Sequence, residues 1–246
     1  MDKRINNYIS WIKAIIAACF AAFGSDIYLW VTGAQANKAI EVTTIFAAAL
    51  IAIQLTELSL SYVVEHSQLL RKKIAGRHYV EGFWFDIAIA PKAKIIREFG
   101  LIEIDFEDRS YVVSGILFDP KYRRIGTFES HLCKNTKRKL EYAYSRRVQH
   151  ELMEEGSGLG EYEFAREKPY PLTFSGSFFD PKLDERVLVK GVRIIDKKNN
   201  ARLSTMQLND ATEVVKGLAD KFFEEFPEYE KWRHPAENTN NRINAD

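Results

Sequence analysis

Residues 8–30, YISWIKAIIAACFAAFGSDIYLW, and residues 42–64, VTTIFAAALIAIQLTELSLSYVV, decide the architecture. The only charges are Lys13 and Asp26 in the first stretch and Glu57 in the second. Each stretch has the roughly 20 residues that a helix needs to cross about 30 Å of hydrocarbon. Lys13 and Asp26 fall near opposite ends, where a side chain reaches the headgroups. Trp11, Tyr28 and Trp30 fall at interface depth, where amphipathic rings are favoured. A cleaved signal peptide is the rival reading of the first stretch. Its basic start fits, but no convincing small-residue cleavage site follows, and a second span comes soon after. Two transmembrane helices are therefore expected. Lys3 and Arg4 precede them, Arg71, Lys72 and Lys73 follow, and only Lys38 lies between. The positive-inside rule then puts both termini in the cytoplasm and makes 32–38 a short outer loop.

Small residues recur at helical spacing in these spans: Ala17, Ala21 and Ser25, then Ala18 and Ala22, with Ala48 and Ala52 on the second. Small side chains four apart let helix backbones approach closely in lipid. Glu57 lies inside the second span, where an isolated carboxylate costs at least ~2.5 kcal/mol near the bilayer centre and less toward the interface. It is expected to be neutral, paired, turned to a helix interface or at interface depth. Glu57, Ala17, Ala21, Ala48 and Ala52 are the candidate residues for assembly in the membrane.

The whole-chain average, 46% hydrophobic and 28% charged, conceals a break at Glu65, after which charges come every few residues. The net charge of +1 discriminates between no partners. Of the two cysteines, Cys19 lies in a span and Cys133 beyond it, so a disulfide between them is implausible, which fits a reducing compartment. From Tyr79 the hydrophobic period becomes two, and strands are expected near 82–90, 101–106, 111–118, 125–133, 140–148, 159–166, 172–179 and 187–195. Glu107-Asp108-Arg109, Asp119-Pro120 and Asp180-Pro181 mark turns between several of them. About eight strands at short spacing suggest a soluble all-β, up-and-down barrel, which has no open edge and can enclose a small ligand.

Two details refine the barrel. Ser114–Lys121 (SGILFDPK) echoes Ser175–Lys182 (SGSFFDPK), each a strand with a central glycine running into a proline turn, as at two barrel corners. Gly82-Phe83-Trp84 resembles the Gly-x-Trp signature of lipocalin-like barrels. That resemblance implies that Trp84 plugs the closed end and that Arg193 of the last strand packs across it, a cation–π contact in which both residues are structural. Beyond the barrel, Asn209 caps a helix through about Phe226, with Ala211, Val214, Val215, Leu218, Phe222 and Phe226 on one face. That helix packs on the barrel or covers its mouth. The expected organisation is an anchor over 1–75, a barrel over 76–208, a helix over 209–234 and a disordered tail over 235–246.

No catalytic motif is visible, so no catalytic residue is assigned and an enzyme is disfavoured. The five histidines show no metal-ligand spacing, so no metal or other cofactor is expected. His131 and Cys133, two apart, read as packing. Glu161 and Glu163 are the remaining acid–base candidates. A binding site has better support. Between Asp119 and Arg147 nine basic residues (Lys121, Arg123, Arg124, Lys134, Lys137, Arg138, Lys139, Arg146 and Arg147) face three acidic ones. Tyr142 and Tyr144 share a strand face with Arg146. Rings that stack on bases beside guanidinium groups that pair with phosphates suit a nucleotide pocket. The other reading is an outward solvated face, or a basic surface resting on anionic lipid. The candidate ligand residues are Tyr142, Tyr144, Arg146, Arg124, Phe174, Arg193 and Trp84.

The arrangement resembles the two-transmembrane β-barrel effectors of bacterial CBASS (cyclic-oligonucleotide) anti-phage systems. The similarity covers about residues 8–195. It rests on the two spans, the basic junction Arg71-Lys72-Lys73, Glu81-Gly82-Phe83-Trp84, the paired Tyr142 and Tyr144, and the 174–178 strand, FSGSF. It implies a protein of the bacterial inner membrane whose barrel binds a cyclic dinucleotide second messenger. Homo-oligomerisation of the spans would follow, then membrane disruption and death of the infected cell. Membrane lipids and further copies of the chain are the other implied partners, with no polymeric nucleic acid. The competing expectation is a membrane-tethered barrel that binds a lipid or other small molecule without effector activity.

Overall fold

The computed structural model describes residues 3–32, 38–108, 110–136, 138–148, 155–180, 185–195 and 211–233. The chain forms two compact units, Met1–Gly76 and Arg77–Asp246. In the first, α1 (Lys3–Thr32) and α2 (Lys38–His66) are both long and apolar enough to cross a membrane, over Ile9–Val31 and Val42–His66. Large apolar side chains stand outward on both: Trp30 is 87% exposed and Phe46 66%. On α1, Ile9 and Gly24 are buried and Ile16 and Phe20 half-buried, a seam at helical spacing. At Gly24 a β-carbon would come within 2.5 Å of Ile45 on α2. Ala17, Ala21 and Ala48 are exposed and lie off this seam, while Ala52 is half-buried. Glu57 is paired: its carboxylate forms an ion pair with Lys13 of α1.

A short helix outside the expected elements follows, α3 (Gln68–Ala75). The Ser67 side chain accepts a hydrogen bond from the Leu70 N–H, and Gly76, at φ 53°, closes the other end. The basic junction lies on it. Arg71 is buried and donates to the carbonyls of Val64 (3.0 Å) and Glu65.

The second unit is a closed antiparallel barrel in which each strand pairs with its sequence neighbours and β8 closes on β1. The strands are β1 (Gly82–Ala90), β2 (Ile95–Glu107), β3 (Ser110–Phe118), β4 (Arg124–Thr136), β5 (Lys139–Val148), β6 (Glu155–Phe164), β7 (Thr173–Asp180) and β8 (Glu185–Arg193). All eight expected strands are present. The largest difference is at β2, which starts at Ile95. Arg97 and Glu98 lie outside the expected strands, yet they belong to β2, with Glu98 opposite Ala88.

A helix, α4 (Ala211–Glu225), packs on the outer face of the barrel across β1 and β2. Its Val215, Leu218, Phe222 and Phe223 bury against Phe85, Ile87, Ile89, Phe99 and Leu101. This cover explains why β1 is almost wholly buried: Phe85, Ile87 and Ile89 point out under the helix, whereas Trp84, Asp86 and Ala88 point into the lumen. Asn209, expected as the cap, and the tail 235–246 lie outside the described residues.

Candidate functional site

One end of the lumen is closed by aromatic rings. Trp84 has Phe164 at 5.3 Å and Phe174 at 5.4 Å between ring centroids, and Tyr162 lies 4.3 Å from Phe174. All four are buried. The Trp84 indole N–H donates to the Val80 carbonyl at 3.0 Å. The Arg193 guanidinium lies over Trp84 at 5.1 Å, Tyr79 at 5.2 Å and Tyr170 at 4.7 Å. It also donates to the carbonyls of Tyr79 (3.0 Å), Pro171 (3.3 Å) and Glu81. Gly82 sits at φ 124°, and a β-carbon there would meet this guanidinium at 3.3 Å, so backbone and contact both favour glycine. The Gly-x-Trp segment and Arg193 thus form a plug, with Phe174 part of it.

A second pattern sets the lumen's shape. Most inward ring positions have a glycine as their register partner on the adjacent strand: Phe128 with Gly115, Tyr142 with Gly160, Tyr144 with Gly158, Tyr162 with Gly176 and Phe174 with Gly191. A β-carbon at any of these glycines would lie 2.8 Å or less from the facing ring. The central glycines of the two echoed strands, Gly115 and Gly176, therefore make room for rings, and the β3–β4 register shift falls instead at Leu117/Phe118. Small residues facing large ones let a narrow barrel fill its interior.

Toward the other end lies a cavity of about 30 Å³, lined by Asp86, Ala88, Glu98, Leu117, Phe128, Tyr142, Tyr144, Arg146, Tyr162 and Phe178. Arg146 crosses the lumen to Glu98, Nη2–Oε2 2.8 Å and Nη1–Oε1 3.4 Å. Its Nε has no hydrogen-bond partner among the described residues. Asp86 lies deeper. Burial first, then the charge of Glu98, raises its carboxyl well above the ordinary range, against the Gly100 N–H that favours the ionised form. Tyr142 and Tyr162 are hydrogen-bonded through their hydroxyls, and burial raises both phenols. Tyr144 packs edge-on to Phe128 (6.2 Å) and Phe178 (6.0 Å) and donates from its hydroxyl to the Phe179 carbonyl at 3.3 Å.

No protein-family model matches the chain, and no curated protein or solved structure does either.

Of the seven candidate ligand residues, Tyr142, Tyr144 and Arg146 come together in the cavity lining. Trp84, Phe174 and Arg193 form the plug, and Arg124 pairs with Phe118 at the end of β4, outside the lining. The basic stretch does not converge on the lumen. Arg123 pairs with Asp119 (2.6 Å), Arg138 with Glu163 (3.6 Å), and Lys139 with Glu141 (3.1 Å) and Glu161 (2.7 Å). Arg147 faces an outer groove with Glu103, Glu129 and His131, and Lys137 lies outside the described residues. The acid–base candidates Glu161 and Glu163 are among these pairs. A register shift between Ser130 and Leu132 separates His131, hydrogen-bonded to Ser145, from Cys133, whose thiol donates to Ser130 at 3.2 Å. Sequence reading missed Asp86, Glu98, Phe128 and Phe178. The available signal was their inward parity once the register is known.

Proposed function

We propose that the chain is a membrane-anchored receptor–effector of bacterial anti-phage defence whose barrel binds a cyclic dinucleotide. On this reading the liganded protein assembles with further copies through α1 and α2, the inner membrane loses integrity, and the infected cell dies. The observation that carries the reading is Arg146, an inward guanidinium with a spare donor in a chamber of aromatic rings. A phosphodiester offers two anionic oxygens to such a fork, and bases stack on tyrosine and phenylalanine faces. The off-seam alanines Ala17, Ala21 and Ala48 leave a small-residue face for contact between copies.

The competing reading, a lipid carrier, needs an apolar lumen for an acyl chain. Asp86, Glu98, Arg146 and the hydroxyls of Tyr142, Tyr144 and Tyr162 put charged and polar groups among the rings, and an acyl chain would leave them without partners. A cavity of about 30 Å³ holds little more than water, so a nucleotide enters only as the lining rearranges. The ligand must then bind the opened state more tightly than the closed one.

The test is thermal unfolding of the full-length protein in detergent with a panel of cyclic dinucleotides, and with oleate as the lipid probe. The expected result is stabilisation by at least one nucleotide and an affinity loss on the order of 10–100-fold in Tyr144→Ala, the worth of one stacked base. Stabilisation by oleate and by no nucleotide would establish the lipid reading instead.

A further inference from the structure

Glu98 and Arg146 stand on strands that are not neighbours, since β3 and β4 separate β2 from β5 around the wall. Their side chains, 4% and 16% exposed, nevertheless meet. The contact is a strut through the lumen, and it fills the space that a ligand entering the cavity would need. We infer that Glu98 is a built-in competitor for the ligand: in the empty barrel its carboxylate occupies Arg146 and bars the lumen, and a ligand phosphate takes its place on the guanidinium. This rests on the reading of the barrel as a nucleotide receptor.

Three observations favour a competitor over a plain stabilising strut. The backbone ladder already closes the barrel, so the ion pair is not what joins β2 to β5. Two buried charges give up much of their hydration, and well-packed apolar pairs of similar volume serve stability equally or better. The carboxylate also leaves the Arg146 Nε without a partner. A phosphodiester has two non-bridging and two bridging oxygens, so it reaches a donor that a two-oxygen carboxylate leaves idle. The exchange therefore gives Arg146 a contact that Glu98 does not, and it removes the strut in the same step. Receptor loading and lumen opening become one event.

The experiment is calorimetric titration of the full-length protein in detergent with cyclic di-GMP, cyclic di-AMP and cyclic GMP–AMP, on wild type and Glu98→Gln. Glu98→Gln is expected to unfold at a lower temperature without ligand, yet to bind the nucleotide on the order of tenfold more tightly, because no charge competes for Arg146. The gain is expected to vanish in Glu98→Gln/Arg146→Gln. If wild type binds a cyclic dinucleotide and Glu98→Gln binds it equally or more weakly, the competitor is overturned and the receptor reading stands. If neither binds any of the three, both fall. Should Glu98→Gln fail to fold, Glu98→Asp carries the test. It keeps the charge but withdraws the carboxylate by one methylene, so tighter binding is again expected and unchanged or weaker binding overturns the inference.

Discussion

Asp86 shows what a single buried residue imposes on this barrel. Burial, and after it the charge of Glu98, raises its carboxyl well above the ordinary carboxylate range. The folded state therefore holds its proton more tightly than the unfolded chain does, and the resulting stabilisation is complete below about pH 3.9. It is lost as pH rises through the folded value. Asp86→Asn keeps the shape and removes the titration. Denaturant melts across pH 4–8 are expected to show wild type losing stability relative to Asp86→Asn by up to ~1.4 kcal/mol per pH unit inside that window. A difference that does not change with pH would mean that Asp86 is ionised in the fold. The same residue marks a limit of sequence reading. Alternation groups Tyr142, Tyr144 and Arg146 on one face, but whether that face is inward depends on Gly158 and Gly160, which oppose the tyrosines only once the β5–β6 register is known. Asp86 and Glu98 sit inside against local preference, and Glu98 depends on an arginine 48 residues away. No local pattern contains that information.

Among the elements, strands were legible because one wall of each faces a packed lumen, which imposes a period of two. Where both walls are covered the alternation in burial disappears, as in β1 beneath α4. Helix α3 was missed because it is only 8 residues long, too short for its Leu70 and Ile74 spacing to stand out. The spans were legible from length and composition, whereas the Lys13–Glu57 pair was not, since it joins two helices across a loop. That pair sets an expectation for the hairpin. Glu57→Leu leaves Lys13 without its counter-charge, which should weaken the α1–α2 contact by about 1–3 kcal/mol. The barrel's unfolding temperature and ligand affinity should not change. Cross-linking between copies and growth arrest on nucleotide exposure should change, and Lys13→Leu/Glu57→Leu should restore the wild-type behaviour of the hairpin. Growth arrest identical to wild type in Glu57→Leu would remove that carboxylate from the mechanism.

At the scale of the whole molecule, the division into Met1–Gly76 and Arg77–Asp246 separates two kinds of surface. On α1 and α2 the apolar side chains point outward: Trp11 is 72% exposed, Leu58 60% and Trp30 87%. Contiguous apolar surface of that extent does not stay dispersed in water. Their apolar spans of 23 and 25 residues are long enough, at 1.5 Å per residue, to cover about 35 Å. The barrel unit is the opposite case. It has its own core beneath α4 and a sheet with no open edge. Expressed alone, 77–246 is therefore expected to stay in the supernatant, to melt cooperatively and to keep the nucleotide affinity of the full chain, yet to cause no growth arrest. The full chain is expected to sediment with membranes, to resist carbonate extraction and to require detergent. If the full chain remained in the supernatant after ultracentrifugation without detergent, α1 and α2 would have to be buried against each other or against further copies in water. Membrane disruption would then have no element to carry it out, even with the barrel binding its ligand as proposed.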